Sequence, residues 1–194
     1  LKDKKITAEA CLHHLWFSSE DYAAKGNFIK WNPAIKTEAD RDAILEAVKD
    51  GRIDVLATDH APHTFEEKSQ IYAKAPSGGP LVQHNLPALF ELWHQGKIRL
   101  ETIVQKSSHN VAELFQIKKR GYIRPGYFAD LVLVHPDMPW TVEKSNILYK
   151  CGWSPFEGTQ FKARVMHTFI NGHHVYNQGV FDESQRGMRM EFER

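Results

Sequence analysis

The chain has 194 residues, of which 42% are hydrophobic, so it can bury one ordinary core with room for a small second module. Its 25 lysines and arginines nearly balance its 24 aspartates and glutamates, and a formal charge of +1 gives no electrostatic reason to expect nucleic acid or an anionic membrane as a partner. Two cysteines, Cys11 and Cys151, are too few for a disulfide framework and indicate a reducing, cytoplasmic compartment, and no apolar stretch is long enough to span a bilayer.

The beginning of the sequence suggests a piece of a longer protein. The chain starts at Leu1, without an initiator methionine, and passes directly into a predicted strand, Ile6 to Cys11. A native amino terminus more often begins with a polar, frayed segment. We therefore expect the preceding part of its own chain to be the first partner of this segment.

The next elements follow the order of a parallel α/β fold. Thr37 and Asp40 have the spacing of a capping box, apolar residues then repeat at helical spacing, and Gly51 ends the predicted helix. The apolar run Val55 to Ala57 predicts a strand that is buried on both faces. Strand, loop, helix and strand in this order indicate a parallel βα array.

Side chains that can do chemistry follow the second strand directly. Asp59, His60, Pro62 and His63 come straight after the apolar run. Active sites of parallel α/β folds are built at the carboxyl ends of their strands. For Asp59 and His60 alone, a polar turn is the better interpretation, whereas the addition of Pro62 and His63 favours an active site.

The remaining sequence changes from α/β to β character. Residues 64–81 show no periodicity and predict a long loop, which in a compact domain is usually functional or disordered. Three helices are predicted after it, at Leu86–Trp93, Leu100–Val104 and Asn110–Phe115. Turn residues from Gly121 onward lead to a strand at Asp130–His135 and a hairpin around Asn171-Gly172. We therefore divide the chain into residues 1–120 and residues 121–194.

Several segments resemble dihydroorotases of the class I type in the amidohydrolase superfamily. The central one is Thr58-Asp59-His60-Ala61-Pro62-His63-Thr64, followed by Glu66-Glu67-Lys68. Further matching segments, in the same order as in the family, are Thr7-Ala8-Glu9 with His13-His14-Leu15, Asn32-Pro33, Ala75-Pro76 with Gly78, Gly121-Tyr122-Ile123 with Pro125-Gly126 and Ala129-Asp130-Leu131, and Trp153-Ser154-Pro155-Phe156 with Gly158. The resemblance covers essentially the whole chain and only the carboxyl-terminal part of such enzymes.

The resemblance implies a fold and a reaction. Residues 1–120 would form the last strands and helices of a (β/α)8 TIM-type barrel, and residues 121–194 part of a small β-sandwich domain with a carboxyl-terminal tail. The family interconverts dihydroorotate and N-carbamoyl-aspartate by hydrolysis or closure of a ring amide, a step of pyrimidine biosynthesis. A cytoplasmic homo-oligomer such as a dimer, without nucleic-acid or membrane partners, is therefore expected.

The same resemblance assigns roles to individual residues. Asp59 corresponds to the aspartate that closes the eighth barrel strand, where it is a metal ligand and the proton shuttle. Asn32 and His63 correspond to residues that hold the substrate, and Pro76 and Gly78 to backbone that contacts the pyrimidine ring. Amide hydrolysis needs a metal that acidifies water and a carboxylate that moves the proton to the leaving nitrogen, and a carboxylate at a strand end can serve both needs.

The other metal ligands of the family have no counterpart in this sequence. Its His-x-His, its bridging carboxylate or carboxylated lysine and two further histidines would all precede Leu1. A catalytic zinc generally takes three protein ligands. We therefore expect one or two zinc ions in the full-length enzyme, and neither metal nor activity in this segment alone. The pair His13-His14 is expected to pack or to support other side chains, and His173-His174 to lie in solvent.

Two other functions compete with this interpretation. A different cyclic-amide hydrolase, such as an allantoinase or a dihydropyrimidinase, usually departs from Ala61-Pro62-His63 and from Glu66-Glu67-Lys68. A non-catalytic dihydroorotase-like scaffold subunit tends to lose its metal ligands, whereas Asp59 is retained here. The sequence upstream of Leu1 would discriminate, because the absence of His-x-His there favours a scaffold.

Overall fold

The computed structural model describes residue 1 and residues 4–193, and within them it contains helices in the first part of the chain and a larger antiparallel sheet in the second. The α-helices are α1 (Leu12–Trp16), α2 (Tyr22–Lys25), α3 (Glu38–Lys49), α4 (Phe65–Lys68), α5 (Asn85–His94), α6 (Leu100–Val104) and α7 (Asn110–Leu114). The strands are β1 (Glu9–Cys11), β2 (Val55–Ala57), β3 (Leu131–His135), β4 (Trp140–Thr141), β5 (Gln160–Phe161), β6 (Arg164–Ile170), β7 (His173–Asn177) and β8 (Val180–Phe181). Short 3-10 turns lie at Ser19–Asp21, Gly26–Ile29, Val82–His84 and Lys144–Asn146.

The two predicted barrel strands are neighbours and run parallel. β1 pairs with β2 so that Ala10 lies beside Leu56 and Cys11 beside Ala57. The side chains of Val55 and Leu56 are almost completely buried, which confirms the prediction of a strand covered on both faces. β2 coincides with the apolar run that predicts it, whereas β1 is shorter than the predicted strand Ile6 to Cys11, and the carboxyl ends of both strands lie at the same edge of the sheet.

The helix between these strands begins and ends as its sequence predicts. Thr37 Oγ1 accepts a hydrogen bond from the Asp40 N–H at 3.3 Å, and Asp40 Oδ2 accepts one from the Thr37 N–H at 3.1 Å. This reciprocal pair satisfies two amide groups that the first turn of α3 leaves without a partner. Gly51, with φ of +88°, follows the end of the helix. Leu45 and Val48 form the buried face of α3.

The hydrophobic core lies where α1 packs against α3 and α5. Its largest fully buried side chains include Trp31, Phe17, Phe156 and Phe161. Phe156 and Phe161 belong to the second part of the chain, so this core joins the helical part to the segment that follows β4. The boundary between residues 120 and 121 stays a prediction.

The predicted helices Leu100–Val104 and Asn110–Phe115 form one continuous helix. A π-helical turn, Gln105–His109, joins α6 to α7 where the polar sequence predicts an interruption. Lys106 Nζ donates to the Ile53 carbonyl at 2.6 Å, and Asn110 Nδ2 donates to the Asp54 carbonyl at 2.6 Å. The polar residues therefore bind the backbone at the start of β2 instead of ending the helix.

The second part of the chain is an antiparallel sheet with the strand order β3-β6-β7-β8. The predicted Asn171-Gly172 turn joins β6 to β7. The pair β4 and β5 and the edge strand β8 have two residues each, too few for an alternating pattern to predict them. Among the residues that the structure describes, no helix is long and apolar enough to cross a membrane.

Two histidine pairs can be compared with the environments expected from sequence. His13 and His14 lie in α1, and the buried His13 ring stacks on Trp31 at 4.4 Å, so its packing role is confirmed. The expected exposure of His173 and His174 is wrong, because both residues lie in β7 and are half-buried. The His174 ring stacks on the Phe169 ring with 4.4 Å between the ring centroids.

Candidate functional site

Asp59 lies just beyond the carboxyl end of β2 with an exposed side chain. Its φ of +48° is in the left-handed region, which aspartate adopts more readily than most residues. Its carboxylate accepts no hydrogen bond from the residues that the structure describes. Burial, Glu9 and then Asp59 raise the pKa of the Cys11 thiol to about 11, so the carboxylate lies near the end of β1 as well. Both oxygens of Asp59 are therefore available to a ligand.

His60 binds backbone and is not arranged as a metal ligand. Its Nδ1 accepts hydrogen bonds from the N–H groups of Leu81 at 3.0 Å and Val82 at 3.3 Å. Burial lowers the pKa of His60, and a neutral ring whose Nδ1 accepts carries its proton on Nε2. Neither nitrogen then offers a free lone pair to a metal. The backbone of His60 forms a parallel bridge with Gly79, which ties the segment after β2 to the loop containing Gly79.

His63 supports the same loop from its side chain. Its Nε2–H donates to the Ser77 carbonyl at 3.1 Å, and its Nδ1 lies 3.6 Å from Glu67 Oε2. The backbone of His63 is held in turn, because Trp153 Nε1–H donates to its carbonyl at 2.7 Å. The side chain is 31% exposed. His63 can therefore meet a ligand while it orients the Ser77 backbone.

The loop that contains Pro76 and Gly78 is joined to the segment that contains Asn32. The Gly78 N–H donates to the Lys30 carbonyl at 2.9 Å. Asn32, two residues further along, is exposed, and its side-chain amide has no hydrogen-bond partner in the described part of the chain. The structure thus brings Asn32, His63, Pro76 and Gly78 into one backbone-linked assembly, to which the Asp59 segment is attached through the His60–Gly79 bridge.

Sequence reasoning missed two contributors to this assembly. Residues 64–68 are not a structureless loop, because Thr64 caps the short helix α4, which carries Glu67 and Lys68. Lys68 belongs to the signature-like segment, yet nothing in the sequence indicates that its side chain is fully buried against backbone. The spacing of Thr64 and Glu67 is itself a capping-box signal and could have predicted α4.

Tyr149 is the second missed contributor. A cavity of about 410 Å³ opens beside the assembly. It is lined by His60, Pro62, His63, Thr64, Glu67, Tyr149, Lys150 and Cys151. Tyr149 Oη accepts a hydrogen bond from the Gln83 N–H at 2.9 Å and lies 3.2 Å from His84 Nδ1, and burial raises the pKa of Tyr149. No local pattern links residue 149 to residues 60–67.

The described residues do not by themselves fit a zinc ion. Within residues 1 and 4–193, no three histidine, cysteine, aspartate or glutamate side chains come together as a metal site. His13 is stacked in the core, where burial and then His14 lower its pKa to about 3. His14 Nε2 donates to the Pro33 carbonyl at 2.9 Å. Asp59 is thus a single candidate ligand, whereas a catalytic zinc generally has three from the protein.

Comparison with known sequences identifies relatives over most of the chain. The family model described as "Amidohydrolase family" matches residues 5–175. A dihydroorotase of Halobacterium salinarum is 41% identical over 152 residues, which are 78% of this chain and 36% of that protein. A dihydroorotase of Clostridioides difficile is 38% identical over 173 residues, which are 89% of this chain and 40% of that protein. The chain thus spans about 40% of the length of these curated relatives.

Solved structures show the same fold. An L-hydantoinase (dihydropyrimidinase) from Arthrobacter aurescens has a TM-score of 0.86 at 24% identity, over 93% of this chain and 41% of that one. A dihydropyrimidinase from Brevibacillus agri has a TM-score of 0.84 at 27% identity, over 93% of this chain and 41% of that one. These matches, together with the family model, confirm the predicted fold class, the carboxyl-terminal part of a TIM-type hydrolase barrel joined to part of a small β-domain.

Proposed function

The chain belongs to the amidohydrolase family, and from this premise we propose that the protein containing it is a dihydroorotase. The reaction would be the reversible interconversion of dihydroorotate and N-carbamoyl-aspartate, in cytoplasmic pyrimidine biosynthesis. The observation that carries this proposal is the exposed Asp59 carboxylate at the strand end, linked through the His60–Gly79 bridge to the Pro76–Gly78 loop. The dihydroorotase relatives support this substrate, since they are 38% and 41% identical.

In the proposed mechanism, Asp59 moves the proton. Zinc, when bound by Asp59 and by ligands from the rest of the protein, would acidify the attacking water. Asp59 accepts the water's proton and returns it to the leaving ring nitrogen, for which its two free oxygens and exposed position suit it. The exposed amide of Asn32 can donate and accept hydrogen bonds with a substrate that carries both a carboxylate and ring amides.

The proposal assigns no activity to this segment alone. The described residues supply one candidate zinc ligand, so the metal would depend on the part of the protein that precedes Leu1. The whole enzyme would be a homo-oligomer such as a dimer. Isolated residues 1–194 are expected to be inactive, and hydrolysis of dihydroorotate by this segment together with about two bound zinc ions per chain would contradict that expectation.

The proposed role of Asp59 is tested by Asp59→Asn in the full-length protein. Because asparagine cannot accept the proton, kcat for dihydroorotate should fall by about a hundredfold or more while the far-UV circular dichroism spectrum is unchanged. Asp137→Asn, which alters another exposed aspartate remote in sequence, is the matched control and should keep normal turnover. Near-normal turnover of Asp59→Asn would remove Asp59 from the mechanism.

A hydantoinase or dihydropyrimidinase is the second candidate, favoured by the structural similarity to those enzymes. The ratio of kcat/KM for dihydroorotate to that for a hydantoin or a neutral dihydropyrimidine decides between them. A ratio well above one supports a dihydroorotase, and a ratio well below one supports the alternative. Absence of turnover with every cyclic amide would support a non-catalytic scaffold.

A further inference from the structure

Lys68 is a fully buried lysine whose ammonium group donates hydrogen bonds only to backbone carbonyls among the residues that the structure describes, and it lies 6.0 Å from the centroid of the Trp153 ring. Its Nζ donates to Gly78 O at 2.7 Å, to Pro76 O at 2.9 Å and to Lys30 O at 3.3 Å. Burial, reinforced by the nearby Lys30 charge, lowers the pKa of Lys68 to about 8. A buried charge without a carboxylate is expensive, and an apolar side chain would suit a purely structural position better.

The three carbonyls belong to the two segments that carry predicted substrate contacts. Pro76 and Gly78 are in one loop, and Lys30 lies two residues before Asn32. The Gly78 N–H also links these two segments, because it donates to the Lys30 carbonyl. The Lys68 ammonium group thus joins these segments through the carbonyls of Pro76, Gly78 and Lys30. The Lys30 ammonium group lies beside it and donates to the Tyr72 and Ala75 carbonyls at 2.6 Å each, so that only Lys68 among the described side-chain cations contacts the carbonyls of both Pro76 and Gly78.

The peptide groups on both sides of Ser77 are consequently held in place. The Pro76 carbonyl is bound by Lys68, and the Ser77 carbonyl accepts from His63 Nε2–H at 3.1 Å. In a trans peptide the N–H points opposite to the C=O, so the Ser77 N–H is directed away from Lys68. This N–H has no acceptor in the part of the chain that the structure describes. A cation on the carbonyl of the same peptide also polarises its N–H and makes it a stronger donor.

From this geometry we propose that Lys68 is a positioning residue for the substrate: it holds the Pro76–Gly78 backbone against the Lys30–Asn32 segment so that the Ser77 N–H donates to a carbonyl oxygen of the cyclic amide. The proposal rests on the proposed dihydroorotase function. The tetrahedral ammonium group suits three converging carbonyls, whereas the planar fork of an arginine does not match that arrangement. Lys68 itself touches no substrate.

The decisive experiment compares Lys68→Met with wild type in the full-length protein, by steady-state kinetics with dihydroorotate and by hydrogen exchange of peptides covering residues 75–80. Methionine keeps an unbranched side chain that is one atom shorter and lacks hydrogen-bond donors. KM should rise about tenfold with kcat changed much less, because a binding contact shared by the ground state and the transition state is lost. The Gly78 amide should exchange at least about tenfold faster, because its acceptor segment is no longer held.

Lys74→Met is the matched control, since Lys74 is an exposed lysine of the same loop whose side chain makes no hydrogen bond among the described residues. It should leave KM and amide exchange unchanged.

Lys68→Arg, which keeps the charge, should recover part of the lost affinity. It also provides a folded variant if Lys68→Met does not fold. Unchanged KM and unchanged Gly78 exchange in a folded Lys68 variant would overturn the proposal. If wild type does not act on dihydroorotate, the proposed function fails, and the exchange experiment still tests whether Lys68 holds the loop.

Discussion

At the residue scale, Gly78 shows how backbone geometry restricts the candidate site to one residue type. Its φ of +115° is outside the range that L side chains adopt comfortably. A Cβ added at this position would lie 2.6 Å from the Ala61 carbonyl oxygen and 2.9 Å from the Ala61 Cβ. Since Ala61 itself donates its N–H to the Gly79 carbonyl, the neighbour cannot withdraw without breaking the bridge between the two segments.

Gly78→Ala should therefore destabilise the protein more than a glycine substitution that meets only backbone strain. Gly96→Ala is the matched variant, because Gly96 has φ of +70° and a Cβ added there would have no neighbour within 4 Å. We expect a loss of about 1 kcal/mol in the free energy of unfolding for Gly96→Ala and about 2 kcal/mol more for Gly78→Ala, from overpacking against Ala61. Urea denaturation measures both, and equal losses would show that the loop adjusts freely.

At the element scale, two capping boxes of the same geometry begin helices that differ in length and in their contacts. Thr37 Oγ1 accepts from the Asp40 N–H at 3.3 Å at the start of α3, and Thr64 Oγ1 accepts from the Glu67 N–H at 3.2 Å at the start of α4. α3 has twelve residues and packs against the core, whereas α4 has four and ends at Lys68. A helix as short as α4 depends strongly on its cap and on tertiary contacts.

Substitution of each capping threonine by alanine should separate stability from substrate binding. Thr37→Ala should lower the free energy of unfolding by about 1 kcal/mol and leave KM for dihydroorotate unchanged. Thr64→Ala should raise KM about threefold or more as well, because α4 positions Glu67 beside His63 and Lys68 beneath the loop. Thermal unfolding and steady-state kinetics on both variants test this, and an equal effect on KM would contradict it.

At the scale of the whole molecule, one core joins the barrel segment to the β region, and it contains two histidines that are fully buried. Burial lowers the pKa of His84 to about 4 and, with a further contribution from His14, that of His13 to about 3. His84 Nδ1 lies 3.1 Å from Ser154 Oγ, so it is held across the same core. In the unfolded chain both side chains would take up a proton near pH 6.5.

Acidification should therefore destabilise the fold well above the folded-state pKa values. Between pH 6.5 and about pH 4 the unfolded chain binds protons that the folded one does not, so the free energy of unfolding falls as pH falls. At pH 5 the loss is about 2 kcal/mol for each histidine. Urea denaturation at pH 7 and pH 5 measures it. His13→Phe, which keeps the ring on Trp31, should remove about half of the loss. Equal stability at both pH values would refute the prediction.

Features that depend on neighbouring residues could be predicted from the sequence. Helix α3 with its Thr37 cap, strand β2, the Asn171-Gly172 hairpin and the order of a parallel βα array all follow from spacing within a few residues. The strand-end location of Asp59 follows from the same local pattern. That Asp59 is a metal ligand is implied by the resemblance and stays a prediction.

Only the tertiary structure decided how distant segments share one site. Lys68 reaches the carbonyls of Lys30, Pro76 and Gly78, and Tyr149 lines a cavity with residues of the His60–Glu67 segment. A charged or polar side chain has no local signal for burial, because its stability there depends on carbonyl groups that folding brings to it from elsewhere in the chain. Local patterns thus determine which elements form and where a carboxylate stands, whereas packing determines which backbone groups are held around it.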